Sequence, residues 1–352
     1  MAYTNIDDPT LYFNTVTYTG SGSGQSVTGV NFQPDLVWLK RRSATGNHYL
    51  VDSVRGVQKS IFSNADAAES SDNYVISFNS DGFSLGADNY TSPSTIVGWN
   101  WLAGGTASSN TDGSITSTVS ANTTSGFSIA TYTGNGTSGA NFGHGLGVKP
   151  ACVIVKRRDT TSNWQFVSKA LSATPFASGN YLKLNSTDAM GTNTAVWNAE
   201  PTSSLIYLTS SADTNSSGGT YVCLAFVEKK SFSKFGSYTG NGSADGTFVY
   251  TGFKPAMVIV KNTNSVTDWI IKDNKRSTYN VVGEVLYPNG SYAEDASGAL
   301  LDFTSNGFKL RISGASAPNV NESGSTFIYM AFASEPLVGT NNIPATARWL
   351  HL

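Results

Sequence analysis

Charged side chains are scarce in this sequence. Asp, Glu, Lys and Arg make up 13% of the 352 residues, about half the usual share. Gly, Ser, Thr and Asn fill the gap. Aromatic residues reach 12% and hydrophobic residues 39%, which excludes a disordered chain, since disorder combines low hydrophobicity with high net charge. A basic excess is also lacking: the net charge is -2 with a pI near 5.9, which argues against a nucleic-acid-binding domain. There are two cysteines, Cys152 and Cys223. They form no disulfide framework and no zinc spacing, and read as free, buried thiols. No run approaches the roughly 18 apolar residues of a membrane span. The opening MAYTNIDDPT has no basic region followed by an apolar one, so it reads as no signal peptide.

Catalytic motifs are lacking too. The three histidines, His48, His144 and His351, share no repeated position. His144 lies in FGHGLG, which lacks the spacing and the following helix of a phosphate cradle. There is no GxSxG elbow, HExxH or EF-hand loop. The few carboxylates are scattered. The sequence therefore implies no enzyme, no cofactor and no metal.

What is present is a threefold internal repeat. YTG occurs at Tyr18-Thr19-Gly20, Tyr132-Thr133-Gly134 and Tyr238-Thr239-Gly240. Pro34, Pro150 and Pro255 follow, each 6 residues before Lys40, Lys156 and Lys261. Eight residues beyond each lysine stand His48, Trp164 and Trp269. Each copy ends in an apolar run, TIVGWNWLA, TYVCLAFV or TFIYMAFA. At about a hundred residues these units are domain-sized, unlike the roughly 20 to 50 residues of solenoid repeats.

The expected organisation is an N-terminal segment (1–10), a first β-domain (11–105), a flexible Ser/Thr/Gly-rich connector (106–125), a second β-domain (126–229), a third (230–336) and a C-terminal tail (337–352). The fold class is all-β: three tandem β-sandwich-like domains. NSDGF and TSNGF mark hairpins in the first and third copies, because Asn, Asp and Gly accept positive φ; the second copy lacks this signal.

The prolines mark strand starts, where no ladder donor is needed. The runs after them, such as Ala151-Cys152-Val153-Ile154-Val155, are apolar at every position. Such strands are buried on both faces. The outer face requires a cover: a long loop, a neighbouring unit, or another copy of the chain, as in a homo-oligomer, with a trimer favoured. The basic tails Lys40-Arg41-Arg42 and Lys156-Arg157-Arg158 read as charge at the solvent edge of a strand. Asp52 and Arg55 recur as Asp273 and Arg276, 12 residues past the lysine in both copies, and read as a structural salt bridge in a turn. The second copy has Ser168 and Leu171 there. His48, Trp164 and Trp269 are the candidates for contact with a surface glycan, since flat aromatics beside Asn and Asp suit sugar stacking; the competing reading packs them against the next strand.

The opening MAYTNIDDPTLYFNTVTYTG, the block PDLVWLKRR with DSVRG, the SDGFSLG hairpin and the closing FIYMAFASEP resemble a group of bacteriophage virion proteins, common in marine phages and built of repeated β-rich domains of this size. The resemblance covers nearly the whole chain. Members are variously called tail-fibre, tail or capsid-associated proteins, and no catalytic residues attach to them. It implies a non-enzymatic structural protein on the outer surface of a virion, synthesised in the host cytoplasm. In that setting it is a tail appendage adhesin for host glycan or protein, with a capsid decoration protein as the alternative and a polysaccharide depolymerase as a third reading. The implied partners are other virion proteins, copies of itself and a host surface glycan, with no nucleic acid and no membrane insertion.

Overall fold

The strands that follow the repeated prolines are each buried on both faces, and that double burial organises the molecule. In the computed structural model, which describes residues 3–87, 94–296 and 301–344, every copy has the same three-strand centre. The closing strand lies between the opening strand and the proline strand, and all pairings are antiparallel. In repeat 1 these strands are Phe13–Thr19, Thr95–Trp101 and Leu36–Arg41. In repeat 2 they are Phe127–Thr133, Thr220–Phe226 and Cys152–Arg157. In repeat 3 they are Ser233–Thr239, Thr326–Pro336 and Phe253–Asn262. The fold is all-β, and the helical elements among the described residues are short turns.

Alternation along a strand sends successive side chains to opposite faces. In repeat 1, Val37 and Leu39 point into a core closed by a small outer sheet of Gln25–Val27, Gly82–Leu85 and Val75–Asn79. Leu36 and Trp38 point the other way, into a core shared by all three repeats. Repeat 2 divides Val153 and Val155 from Cys152 and Ile154 in the same manner, and repeat 3 divides Val258 and Val260 from Met257 and Ile259. The three main sheets thus surround one central apolar core. At equivalent places on the closing strands stand Trp101, Phe226 and Phe332, whose rings meet at 5.7 Å (Trp101 to Phe332) and 5.8 Å (Phe226 to Phe332). The packing there leaves only a void of about 20 Å³, lined from all three repeats.

This answers what covers the outer face of each apolar strand: the two sister repeats of the same chain. It also bears on the picture of self-sufficient domains, because roughly two fifths of the buried apolar side chains in these cores belong to the shared one. The expected flexible connector is ordered as well. Ser108–Asn110 and Ser117–Asn122 pair with each other and extend the main sheet of repeat 2 to eight strands. The N-terminal segment drops Ile6 into the central core, and Asp7 bonds to Thr340 in the C-terminal tail. The rest of that tail, 345–352, lies outside the described residues, as does His351.

Local chemistry explains the details. Pro34 and Pro150 stand two residues before their strands, whereas Pro255 lies inside Phe253–Asn262, a departure from the expected strand start. It is tolerated because the register shifts on both sides of it, forming a bulge that needs no ladder donor there. The hairpins of repeats 1 and 3 turn at Gly82 and Gly307. A Cβ at either would lie 2.0 Å from the carbonyl oxygen of Val27 or Val249, so only glycine lets the outer strands close. Repeat 2, without that signal, has a two-stranded outer sheet of Asn141–Gly143 and Leu205–Tyr207. Cys152 and Cys223 lie on neighbouring strands but face different cores, and both thiols are free and buried.

Candidate functional site

The repeated polar residues converge at the three seams between repeats. Lys40, Lys156 and Lys261 are fully buried, which corrects the reading of charge at a solvent edge. Alternation places each lysine on the face that looks toward the centre, two residues beyond Trp38, Ile154 or Ile259. There each ammonium donates to a backbone carbonyl of the neighbouring repeat. Lys40 reaches Ser291 O (3.3 Å), Lys156 reaches Asp66 O (3.1 Å) and Lys261 reaches Thr187 O (3.1 Å). The same three carbonyls accept backbone N–H bonds from Gly46, Ser162 and Thr267. Repeat 1 therefore holds repeat 3, repeat 2 holds repeat 1, and repeat 3 holds repeat 2. This is a head-to-tail contact that closes on itself after three steps. Burial lowers the pKa of each of the three lysines to about 8.

His48, Trp164 and Trp269 occupy the same seams. They are 0%, 0% and 1% exposed, so none presents a face to a surface glycan; the shared core claims the rings instead. Trp164 Nε1 donates to Phe62 O of repeat 1 at 2.8 Å, and Trp269 Nε1 to Lys183 O of repeat 2 at 3.0 Å. His48 is the smaller counterpart in repeat 1. Its Nδ1 accepts from Trp38 Nε1 at 2.9 Å, so Nε2 carries the proton. That nitrogen lies beside the backbone of Tyr287 in repeat 3 without closing a hydrogen bond. Burial, reinforced by Lys40 and Arg276, holds His48 well below its ordinary pKa and keeps it neutral.

The Asp-x-x-Arg residues form ion pairs within their turns, and they belong to larger networks. Asp52 caps its turn through the N–H groups of Val54 and Arg55 and ion-pairs with the Arg55 side chain. Arg55 continues to Glu69 (3.0 Å), which accepts from Arg158 of repeat 2 at 2.9 and 3.0 Å. The same chain of charges runs from Asp273 through Arg276 and Glu294 to Arg42 of repeat 1. Burial pushes the Glu69 carboxyl up, but Arg158 and Arg55 outweigh it and hold it below its usual value. The third seam is different. There Met190 N donates to Thr263 O at 2.9 Å, the counterpart of Glu69 to Arg158 and Glu294 to Arg42. Ser168, Leu171, Met190 and Thr263 replace the whole charged chain. Glu69 and Glu294 escaped the sequence reading; their signal was the joint loss of four charges at one seam.

One open surface gathers positive charge. Two adjoining clefts of about 390 and 480 Å³, both lined by Tyr3, Lys229 and Lys230, lie where the N-terminal segment crosses the junction of repeats 2 and 3. Lys230 Nζ sits 3.5 Å from the Tyr3 ring centre, and Lys234 Nζ sits 5.1 Å from that of Tyr250. Glu228, the carboxylate beside them, is ion-paired with Lys169.

A family model described as a domain of unknown function, DUF7483, matches residues 8–336. The chain belongs to this family. The match begins just before the opening strand of repeat 1 and ends on the last residue of the closing strand of repeat 3. The match therefore spans all three repeats of this chain and not one of them. No curated protein matches the chain.

Proposed function

We propose that this DUF7483 protein is a non-enzymatic structural protein of a phage particle, displayed on the outer surface as a tail appendage adhesin. One observation supports this most. The polar and aromatic residues that all three repeats share are spent on joining the repeats to one another, which is the chemistry of a rigid body. The likeness of the sequence to phage virion proteins supplies the setting. Recognition then falls to surfaces that differ between repeats. A homo-oligomer would use faces other than the apolar strands, since sister repeats already cover those.

Antibody-gold labelling of intact particles tests the location. Gold at the tail is expected. Gold over the head would replace this reading with capsid decoration, where a body with threefold pseudo-symmetry would suit a threefold position. Incubation with host polysaccharide tests the remaining alternative: release of reducing ends would make the protein a depolymerase.

A further inference from the structure

The three repeats act as controls for one another, and they disagree at one position. In repeat 1, Tyr49 stands directly across from Phe62 on the next strand. Their rings are 5.0 Å apart, and Tyr74 closes the cluster at 4.1 Å from Tyr49. In repeat 3 the equivalent residues are Ile270, fully buried, and Tyr287, which packs against the core containing Ile270. In repeat 2 the pair is Gln165 and Lys183. Where repeat 1 fills the space with rings and repeat 3 with Ile270 and Tyr287, repeat 2 has an open groove of about 390 Å³, within the range of small-ligand sites.

The groove has a specific chemistry. Gln165 is 1% exposed. Its Nε2 donates to Asp213 Oδ2 at 2.8 Å, while its Oε1 meets no donor among the described residues. A buried, unsatisfied amide oxygen costs stability that an apolar residue here would not. Asp213 Oδ1 accepts from Ser162 Oγ at 2.6 Å. Each carboxylate oxygen thus holds one neutral donor and keeps a lone pair for another. Lys183 is ion-paired with Asp188 at 2.9 Å and not with Asp213, although Lys183, Lys156 and Arg157 all lie within electrostatic reach of that carboxylate. Tyr181, Asn193 and Ser211 complete the lining. A fixed carboxylate with adjacent amides accepts from and donates to neighbouring hydroxyls, and an aromatic ring meets the C–H face of a sugar.

We propose that this groove of repeat 2 binds a neutral saccharide, with Asp213 accepting hydrogen bonds from two adjacent hydroxyls, Gln165 Oε1 accepting one from a hydroxyl at the floor and Tyr181 lying against the ring. This gives a ligand class to the adhesin reading and rests on it for its biological meaning. The carboxylate disfavours acidic sugars, which the lysine cleft would attract instead.

The test uses the purified full chain and saturation-transfer NMR. The probes are methyl glycosides of glucose, galactose, mannose and N-acetylglucosamine, with lactose, maltose and, as the acidic control, glucuronate. At least one neutral probe should bind. Asp213→Ala should weaken it by about tenfold or more. Gln165→Tyr with Lys183→Phe, which installs the pair of repeat 1, should abolish binding. Gln165→Ile, which copies repeat 3, should weaken binding while leaving the melting temperature unchanged or higher, so lost binding cannot be lost folding. No binding by any neutral probe, undiminished binding in the refilled double variant, or binding of glucuronate alone would overturn the proposal. Gold over the head with sugar binding intact would remove the adhesin reading and leave the groove standing; gold at the tail with no sugar binding would do the reverse.

Discussion

Three ammonium groups packed toward one core make the stability of this protein depend on alkaline pH. Lys40, Lys156 and Lys261 have folded pKa values of about 8 against 10.5 for a free lysine. Lys272, which donates to Val282 O and Gly283 O, is pushed lower still, to about 7, mainly by burial. Below pH 8 the three seam lysines are charged in both states, and the folded state carries the whole desolvation cost. Between about pH 8 and 10.5 the folded state gives up protons that the unfolded chain still binds, so stability rises with pH. The gain is bounded by roughly 2–3 kcal/mol per lysine. From about pH 9 it is opposed by Cys152 and Cys223, whose thiols are held protonated by burial and ionise first in the unfolded chain, and it ends near pH 10 as Tyr132 and Tyr238 do the same. Urea midpoints should therefore be higher at pH 9.5 than at pH 7.5, and Lys156→Met should flatten the rise without abolishing it. A midpoint that falls steadily from pH 7.5 would refute the buried charges.

At the scale of the element, the unit that varies is the seam and not the single residue. Two seams carry a chain of four charges, and the third has Ser168, Leu171, Met190 and Thr263 in the same places. Removing one member of a buried ionic network leaves the others unpaired, whereas exchanging the whole network for packed apolar groups is often neutral. Glu69→Gln should thus cost about 3 kcal/mol in denaturant unfolding, since Arg55 and Arg158 both lose the negative charge they share. Asp52→Ser, Arg55→Leu, Glu69→Met and Arg158→Thr together should fall within about 1 kcal/mol of the parent, because they reproduce a seam the chain already builds. A fourfold variant less stable than Glu69→Gln would mean that the charges hold the seam in a way the third seam does not imitate. The same contrast explains what could be read from residues alone. Pro34 to Lys40 and its copies marked the strands, and the unbroken apolar run Ala151 to Val155 marked burial on both faces. The Asp52 and Arg55 pair was visible because both members are close in sequence. The closure was not visible. Lys156 and Trp164 bind the carbonyls of Asp66 and Phe62, and a backbone acceptor leaves no trace in side-chain pattern. For the same reason Trp164 and Trp269 looked like surface rings: their acceptors lie in another repeat. The groove beside Gln165 went unseen until strand register aligned it with Tyr49 and Ile270.

The whole molecule follows from the sharing of one core. A repeat cut out of the chain keeps its outer core but bares its central face. For repeat 2 that face includes Phe127, Ile129, Ile154, Trp164, Phe166, Leu224 and Phe226, all buried in the intact chain. Its seam donors Lys156 and Trp164 would lose their acceptors in repeat 1, and the Lys183 and Thr187 carbonyls would lose Trp269 and Lys261 of repeat 3. An apolar patch of this size draws proteins into association, and unpaired buried donors add to the cost. Residues 126–229 expressed alone should therefore aggregate or populate a loosely packed state without sharp near-ultraviolet dichroism. Extending the piece to 104–229 restores the two strands at the sheet edge but not the central face, so it should fare no better. The intact chain should unfold in one step. Tryptophans report from every repeat (Trp38 and Trp99 in the first, Trp164 in the second, Trp269 in the third), so their fluorescence and far-ultraviolet dichroism should trace one coincident curve in urea. A monomeric, cooperatively folded repeat 2, or separate transitions for the two signals, would show that the repeats are independent domains and that the central core is only their contact surface.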